Sequence, residues 1–485
     1  MYADLSDWTV DVHFINGATA AVNDSINSLT VEGVERLLVQ TGSGDDVIEQ
    51  KIAQTNDEIR TGAGNDQIIF GSESGSDAVD GGLGNDTLTL NWNTAGTTYL
   101  TVQRADSSWV FVGSSLDEIK ANLADAIAFN YSSNGYGYYD ELGNYQNHAG
   151  SGVTYQGIES LTLESGAYDD TLIYQNNQIN RYAGNGGTDT FYADLSGWTQ
   201  GIHWVNDGSE QTFSNGVEGF TISGVERLLV QTGSGDDVIE QKIAQTNDEI
   251  RTGAGNDQII FGSESGSDAV DGGLGNDTLT LNWNTAGTTY LTVQRADSSW
   301  VFVGSSLDEI KANLADAIAF NYSSNGYGYY DELGNYQNHA GSGVTYQGIE
   351  SLTLESGAYD DTLIYQNNQI NRYAGNGGTD TFYADVSDWT SSLHWVNDGS
   401  EQTFSNGVEG FSVSGVERLL VQTGSGDDVI EQKIAQTNDE IRTGAGNDQI
   451  SINNGNVYAG DGDDVVVNGS GLVDVVAILE CLQDR

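Results

Sequence analysis

Aspartates recur at fixed spacing in glycine-rich turns. The clearest run is Thr41-Gly42-Ser43-Gly44-Asp45-Asp46-Val47-Ile48, then Thr61-Gly62-Ala63-Gly64-Asn65-Asp66-Gln67-Ile68, then Gly81-Gly82-Leu83-Gly84-Asn85-Asp86-Thr87-Leu88. Each unit is a glycine-rich turn, an aspartate, one residue and a large aliphatic. Two looser units interleave, Gln54-Thr55-Asn56-Asp57-Glu58-Ile59 and Ser74-Gly75-Ser76-Asp77-Ala78-Val79. The chemistry open to carboxylates in this pattern is the binding of a hard cation. Carboxylates stacked at about 4.8 Å, the spacing of neighbouring strands, repel strongly in a partly dry site. Calcium takes 6–8 oxygen ligands at about 2.3–2.6 Å and converts that repulsion into attraction. Glycines let the turn backbone adopt positive φ and aim its carbonyls at the ion.

The elements that must position these residues follow from the spacing. Asp46, Asp57, Asp66, Asp77 and Asp86 lie 11, 9, 11 and 9 residues apart, and an aliphatic follows every one by two places. Strand, turn, strand, turn thus closes one coil of a flattened solenoid every 20 residues. The spacing predicts Ile48, Ile68 and Leu88 on one strand ladder, Ile59 and Val79 on the other, and a thin apolar core between two parallel sheets. Asp46, Asp66 and Asp86 then share one edge, where strong calcium sites are expected. Asp57 and Asp77 share the other, which lacks most of the glycines, so its sites are expected to be weaker or empty.

These turns resemble the RTX, or haemolysin-type, calcium-binding nonapeptide Gly-Gly-x-Gly-x-Asp-x-U-x, with U a large aliphatic residue. Residues 81–89 match it at every position. The resemblance covers block 41–90 and its copies at 232–281 and 423–450. A looser block holds Ser165-Gly166-Ala167-Tyr168-Asp169-Asp170-Thr171-Leu172 and Gly184-Asn185-Gly186-Gly187-Thr188-Asp189-Thr190-Phe191, and the tail adds Gly460-Asp461-Gly462-Asp463-Asp464-Val465-Val466. The resemblance implies a parallel β-roll, export through a type I channel, and folding on meeting calcium outside the cell. The 20-residue coil departs from a simple pair of nonapeptides. The candidate metal ligands are Asp46, Asp66, Asp86, Asp57, Asp77, Asp170 and Asp189. Their counterparts are Asp237, Asp257, Asp277, Asp248, Asp268, Asp361, Asp380, Asp428 and Asp448, with Asp464 in the tail.

A longer repeat contains the short one. Residues 34–194 recur without substitution at 225–385, an offset of 191, and a third copy from Val416 follows the first through Ile450. The chain therefore reads as a divergent N-terminal cap (1–33), copy one (34–224), copy two (225–415) and a truncated copy three with its own tail (416–485). Divergent ends around identical middles suit capping units of a solenoid. Within copy one, metal-turn blocks 41–90 and 158–194 flank an insert, 91–157. There, 97–102 and 108–112 read as a hairpin. Ser115-Leu116-Asp117-Glu118 is a capping box opening a short helix with Leu116, Ile119, Leu123 and Ile127 on one face. Residues 129–145 are rich in Tyr, Asn, Ser and Gly, a composition suited to adaptable binding surfaces or sugar stacking, or to an ordered loop on its own roll. The expected fold class is thus mainly all-β, a parallel β-roll or β-solenoid built from tandem 191-residue repeats, each with a short helix and hairpin insert.

Composition narrows the function. The 485 residues include 71 acidic and 16 basic side chains, a formal net charge of −55. Such a surface repels nucleic acid and anionic lipid, and attracts divalent cations. The 9 Trp, 24 Tyr and 13 Phe argue against a disordered acidic tail. Proline is absent, as befits stacked strands whose N–H groups all donate. Cys481 is the one cysteine, so no internal disulfide framework exists; it reads as a link between two chains or a free thiol. No apolar run reaches the length of a membrane span. Residues 1–10 lack the basic and apolar regions of a Sec-type signal. The run 472–479 reads as either an uncleaved export signal or a cap on the last coil. His13, His203 and His394 are equivalent, as are His148 and His339, but no hydrolase or nucleotide-binding motif accompanies them. The expectation is an extracellular calcium-binding structural protein, not an enzyme, that self-associates head to tail into a surface layer, filament or adhesive stalk. A glycan-binding adhesin is the alternative, and a fragment of an RTX enzyme or toxin a lesser one.

Overall fold

In the computed structural model all residues are described except 18–19, 24–27, 32–33, 54, 72–74, 94–95, 135, 140–144, 149, 176–178, 245, 263–265, 285–286, 326, 331–335, 340, 367–369, 435–437, 469–472 and 476–485. Cys481 and most of the run 472–479 lie outside the described residues, as do the side chains of 135–149 in the Tyr-rich stretch. The described residues form short strands and two helices. They divide into two compact units, Met1–Ile202 with Asn206–Ser234, and His203–Val205 with Gly235–Arg485.

In the first unit the 20-residue spacing becomes strand register. Val47–Gln50, Gln67–Phe70 and Thr87–Asn91 pair in parallel, with Ile48 opposite Ile68 and Ile68 opposite Leu88. Leu38–Gln40, Glu58–Arg60 and Ser76–Asp80 form the second ladder, with Val39, Ile59 and Val79 in one row. These aliphatics are buried between the two sheets while their neighbours alternate outward. Burying one such side chain stabilises by roughly 1.5–3 kcal/mol. Strands of three to five residues supply few of them, so the core alone is thin.

The insert grows from the coil without breaking it. Ser76–Asp80 pairs in parallel with Ser151–Gln156, and Thr87–Asn91 with Ser160–Glu164, so the coil resumes after the insert as if it were absent. Ser151–Gln156 also pairs antiparallel with Ala128–Ser133, which pairs with Thr98–Gln103 and then Trp109–Phe111. A separate hairpin joins Tyr136–Tyr139 to Tyr145–His148. Helix α1 (Leu116–Ala124) begins at Ser115, whose hydroxyl accepts the Glu118 N–H at 3.4 Å. The Glu118 carboxylate reaches back to Ser114 N–H at 3.1 Å. Its buried face is Leu116, Ile119 and Asn122. The expected face ran one turn too far: Ile127 lies beyond the helix and is exposed, because the chain ends the helix at Asp125 and enters a strand at Ala128. Lys120 pairs with Asp194 at 2.9 Å and Asn122 donates to the Val112 carbonyl at 2.9 Å, fixing the helix against the roll and its hairpin.

The looser block has a different interior. Tyr174, Phe191 and Phe220 meet with ring centroids 4.9–5.1 Å apart, and the Tyr182 hydroxyl reaches the Ile173 carbonyl at 2.8 Å. Large aromatic burial here replaces some of the order that glycine turns supply in block 41–90.

The second unit repeats this construction. Val238–Gln241, Gln258–Phe261 and Thr278–Asn282 stack in parallel, and helix α2 (Leu307–Ala315) has the same buried face as α1. The unit continues through the coils His394–Asn397, Val429–Gln432, Gln449–Ile452 and Val465–Asn468. No helix among the described residues is long and apolar enough to cross a membrane.

Candidate metal centre

The turn aspartates form a column through the coils, each held by the coil before it. In the first unit Asp46 Oδ1 accepts the Val12 N–H at 2.7 Å, Asp66 Oδ1 the Asp46 N–H at 2.8 Å, and Asp86 Oδ1 the Asp66 N–H at 2.9 Å. In the looser block Asp170 accepts from Thr98 N–H at 2.5 Å and Asp189 from Asp170 N–H at 2.8 Å. The second unit repeats the pattern. Asp257 accepts from Asp237, Asp277 from Asp257, Asp361 from Thr289 and Asp380 from Asp361. Further on, Asp428 accepts from Leu393, Asp448 from Asp428 and Asp464 from Asp448. A backbone N–H thus stands between successive carboxylates. The sequence spacing had suggested bare stacked charges, and the intervening donor is what lets them approach.

Only one oxygen of each carboxylate is satisfied this way. Oδ2 of Asp46, Asp66, Asp86, Asp170, Asp189, Asp237, Asp257, Asp277, Asp361, Asp380, Asp428 and Asp448 is buried without a hydrogen-bond donor. A buried acceptor left in this state costs about 1–3 kcal/mol, more when it is charged. Burial accordingly pushes the carboxyls of Asp46, Asp66, Asp257, Asp428 and Asp448 above their ordinary range. Asp86, Asp277, Asp170 and Asp361 are pushed up to about 6, by burial first and in Asp86 and Asp277 also by neighbouring carboxylates. Asp189 and Asp380 rise to about 8, from burial and then the nearby Asp170 or Asp361.

The glycines bring backbone oxygens to the same edge. Gly82 has φ +91°, and a Cβ there would lie 2.0 Å from the Gly62 carbonyl oxygen of the coil before; at Gly84, φ +146°, the Gly64 oxygen would be 1.6 Å away. Only glycine fits both the dihedral and the space. Outside the column, Asn65 N–H donates to Asp45 Oδ1 at 2.7 Å and Asn85 N–H to Asn65 Oδ1 at 3.1 Å, a second ladder that the sequence reading did not anticipate. Among the described residues no three carboxylate, His or Cys side chains gather into a cluster. A cation at this edge therefore takes single carboxylates with turn carbonyls, which suits a hard ion such as calcium. The twelve orphaned oxygens fit that ion, and its positive charge is what the buried column lacks.

The second edge is built differently. Asp57 Oδ1 accepts the Leu37 N–H at 2.5 Å, and its Oδ2 accepts from Thr55 Oγ1 at 2.7 Å and Gln50 Nε2 at 2.8 Å. Asp248 is held likewise by Thr246 and Gln241. Asp77 and Asp268 accept the N–H of Asp57 and Asp248. Both oxygens of Asp57 are saturated by protein donors, so an ion there must displace them. Asp57 and Asp248 thus commit carboxylate oxygens to side-chain donors, while Asp77 and Asp268 commit one oxygen each to a backbone N–H. Asp464 closes the last described coil after a spacing of 16 residues and is only half-buried.

Two glutamates were missed. Asp86 N–H donates to Glu159 Oε2 at 2.9 Å and Asp189 N–H to Glu226 Oε2 at 2.7 Å, so both columns of the first unit end on a glutamate. The signal was present as Gly-Ile-Glu at 157–159 and Gly-Val-Glu at 224–226, repeated at 348–350 and 415–417.

A search of curated proteins finds no match. The family model of the RTX calcium-binding nonapeptide repeat (4 copies) matches residues 54–88 and 245–279. Those segments contain Asp66 and Asp86, and Asp257 and Asp277, on the edge with orphaned oxygens. Residues 54–88 and 245–279 thus carry RTX-type nonapeptide repeats, whose turns bind calcium at multiple sites.

Proposed function

We propose that this protein is an extracellular structural component, rigidified by calcium, that associates with copies of itself into a surface layer, filament or adhesive matrix and carries no enzymatic activity. The observation that carries this reading is the repetition itself. Residues 34–194 and 225–385 are identical, and their strands, helix and metal column form the same arrangement twice. A second copy adds coils and cation sites but no new chemistry. The metal column also supports export before folding: twelve buried oxygens without donors oppose compaction until calcium is supplied, as outside a cell. We further propose that copies meet head to tail through strand edges. Tyr2–Asp4 and Val465–Asn468 stand at the edges of their sheets, and Val465 and Val467 are about half exposed. Such a contact is heterologous and builds a fibre where it does not close.

Electron microscopy of the full chain at high concentration tests this, with calcium and with chelator. Ordered layers or filaments with calcium alone are expected. Monomers under both conditions overturn the assembly.

A second reading, an adhesin for glycans, has its own observation. Trp109 and Phe111 are 41% and 48% exposed on the outermost strand of the insert, and Trp300 and Phe302 repeat them. Tyr99, Asn130, Ser132 and Thr154 line a neighbouring cleft of about 420 Å³. Aromatic faces beside hydroxyl and amide groups suit sugar rings. Silence on a glycan array with calcium present removes this reading and leaves the first intact.

A further inference from the structure

Two changes coincide at the end of four aspartate columns. The first is the glutamate: Asp86 to Glu159 and Asp189 to Glu226 in the first unit, Asp277 to Glu350 at 2.9 Å and Asp380 to Glu417 at 2.7 Å in the second. The second lies at the first position of the turn. Earlier coils carry a hydroxyl there, Thr41, Thr61 or Ser165. The Thr41 hydroxyl donates to the Thr61 carbonyl at 2.8 Å, and Thr61 to the Gly81 carbonyl at 2.9 Å. In the last turn the position is glycine: Gly81, Gly184, Gly272 and Gly375.

At that position the next coil and the column aspartate approach closely. A Cβ at Gly81 would lie 2.0 Å from the Gly157 carbonyl oxygen and 2.8 Å from Asp86 Oδ2. At Gly184 the same two neighbours are Gly224 O at 2.0 Å and Asp189 Oδ2 at 2.3 Å. Gly272 has Gly348 O at 2.0 Å and Asp277 Oδ2 at 2.9 Å; Gly375 has Gly415 O at 2.1 Å and Asp380 Oδ2 at 2.4 Å. The four aspartates are 0% exposed and their Oδ2 atoms have no donor. Four times over, a carbonyl and an unpartnered buried carboxylate oxygen converge, with a second carboxylate from the glutamate bound to the same aspartate.

Two acceptors brought this close need a proton, a bridging water or a cation between them. Neither a shared proton nor a bridging water calls for the extra negative charge of the glutamate, whereas a divalent cation is matched by the two carboxylates. We propose that Asp86, Glu159 and the Gly157 carbonyl form a block-terminal calcium site, in which a glutamate from a turn without the nonapeptide pattern takes the place of the next aspartate. Asp189 with Glu226, Asp277 with Glu350 and Asp380 with Glu417 repeat it. The cap turn contributes a glutamate because its carboxylate must reach the column from a turn that has no Gly-x-Gly-x-Asp geometry. This site rests on the reading that the nonapeptide turns hold calcium, and adds a terminal ion whose second carboxylate comes from outside those turns.

Equilibrium dialysis of the full chain against calcium, with the bound metal counted by atomic absorption, tests the site. In a Glu159→Gln/Glu350→Gln variant the amide oxygen still accepts the aspartate N–H, so the cap turn is kept and only charge is removed. One ion fewer is expected for each glutamate changed, with an unchanged β signal in saturating calcium. An unchanged ion count and affinity overturns the site and leaves a proton or a water between the acceptors. Glu159→Asp/Glu350→Asp keeps the charge but shortens the reach, and gives the answer where the amide variant does not fold. The same loss is expected there, and a full count overturns the proposal. A wild-type chain that binds no calcium overturns the nonapeptide reading itself, an outcome separable from loss of the terminal ions alone.

Discussion

Asp66 and Asp57 are both buried aspartates of one coil, and their surroundings assign them opposite tasks. Asp66 has one oxygen without a donor, while both oxygens of Asp57 are saturated by Leu37, Thr55 and Gln50. Asp66→Asn should therefore weaken calcium binding and yet increase β structure in chelator, because it removes an uncompensated buried charge. Asp57→Asn should leave the calcium count unchanged and lower stability by about 1–3 kcal/mol, because the amide cannot accept all three donors. Calorimetric calcium titration and urea unfolding of the two variants check this, and equal calcium loss in both would contradict it. The pH dependence follows from the same column. A carboxyl whose folded pKa is raised stabilises the fold only while protonated; that stability is complete below the ordinary value of 3.8 and is lost as pH rises through the folded value. The folded values are about 6 for Asp86 and Asp170 and about 8 for Asp189. Chelated protein should thus lose β signal progressively between about pH 4 and 8, and protein in calcium should not; circular dichroism at stepped pH reads both. The aspartates on the first edge were legible because glycine, aspartate and aliphatic recur in phase. Glu159 and Glu226 were not, because their place in the column is set by a turn that resumes the coil after 73 residues in one case and 37 in the other.

At the scale of elements, the parallel ladders were readable because their register equals the repeat: residues 20 apart in sequence become neighbours across a strand pair. The hairpin and helix of the insert were readable from local alternation and the Ser115 cap. What could not be read was the splice by which Ser151–Gln156 continues the ladder of Ser76–Asp80 while bearing three antiparallel strands on its other side. Neither strand carries a local mark of that pairing; burial of Val79 against Tyr155 and Val153 beside Tyr131 decides it. Helix α1 likewise depends on what it covers. Ile119 is 0% exposed and Lys120 is 44% exposed in its pair with Asp194. Ile119→Ala should cost about 2–5 kcal/mol through the cavity it leaves. Lys120→Ala should cost about 0–1 kcal/mol, as exposed ion pairs do. Chemical denaturation in saturating calcium measures both. Calcium stoichiometry should not change in either variant, since Lys120 and Asn122 of the helix bond Asp194, Gln231, Arg104 and Val112, outside the column; a loss of ions in Ile119→Ala would show that the insert, not the coil, sets the metal edge.

For the whole molecule the question is which charges calcium answers. A net charge of −55 opposes any compact state, and two kinds of carboxylate contribute. Exposed ones such as Asp11 and Asp45 are screened by salt, since the Debye length falls to about 3 Å at 1 M. The twelve buried oxygens are not, because screening ions do not enter the column. Sodium chloride and calcium should therefore act differently on chelated protein at neutral pH. About 1 M sodium chloride should shrink the hydrodynamic radius by screening repulsion while leaving the β signal low. Calcium should restore the β signal cooperatively, because each ion bridges consecutive coils and prepares the next pair of turns. Magnesium should substitute poorly, since it demands near-octahedral geometry at about 2.0–2.1 Å and sheds water reluctantly. Parallel titrations followed by circular dichroism and dynamic light scattering separate the two effects. If sodium chloride alone restored the full β signal, net repulsion would be the whole obstacle to folding and the orphaned oxygens would carry no special requirement. If calcium alone restores it, the column is what holds folding back, and the chain stays unstructured until it meets the ion its turns are built to hold.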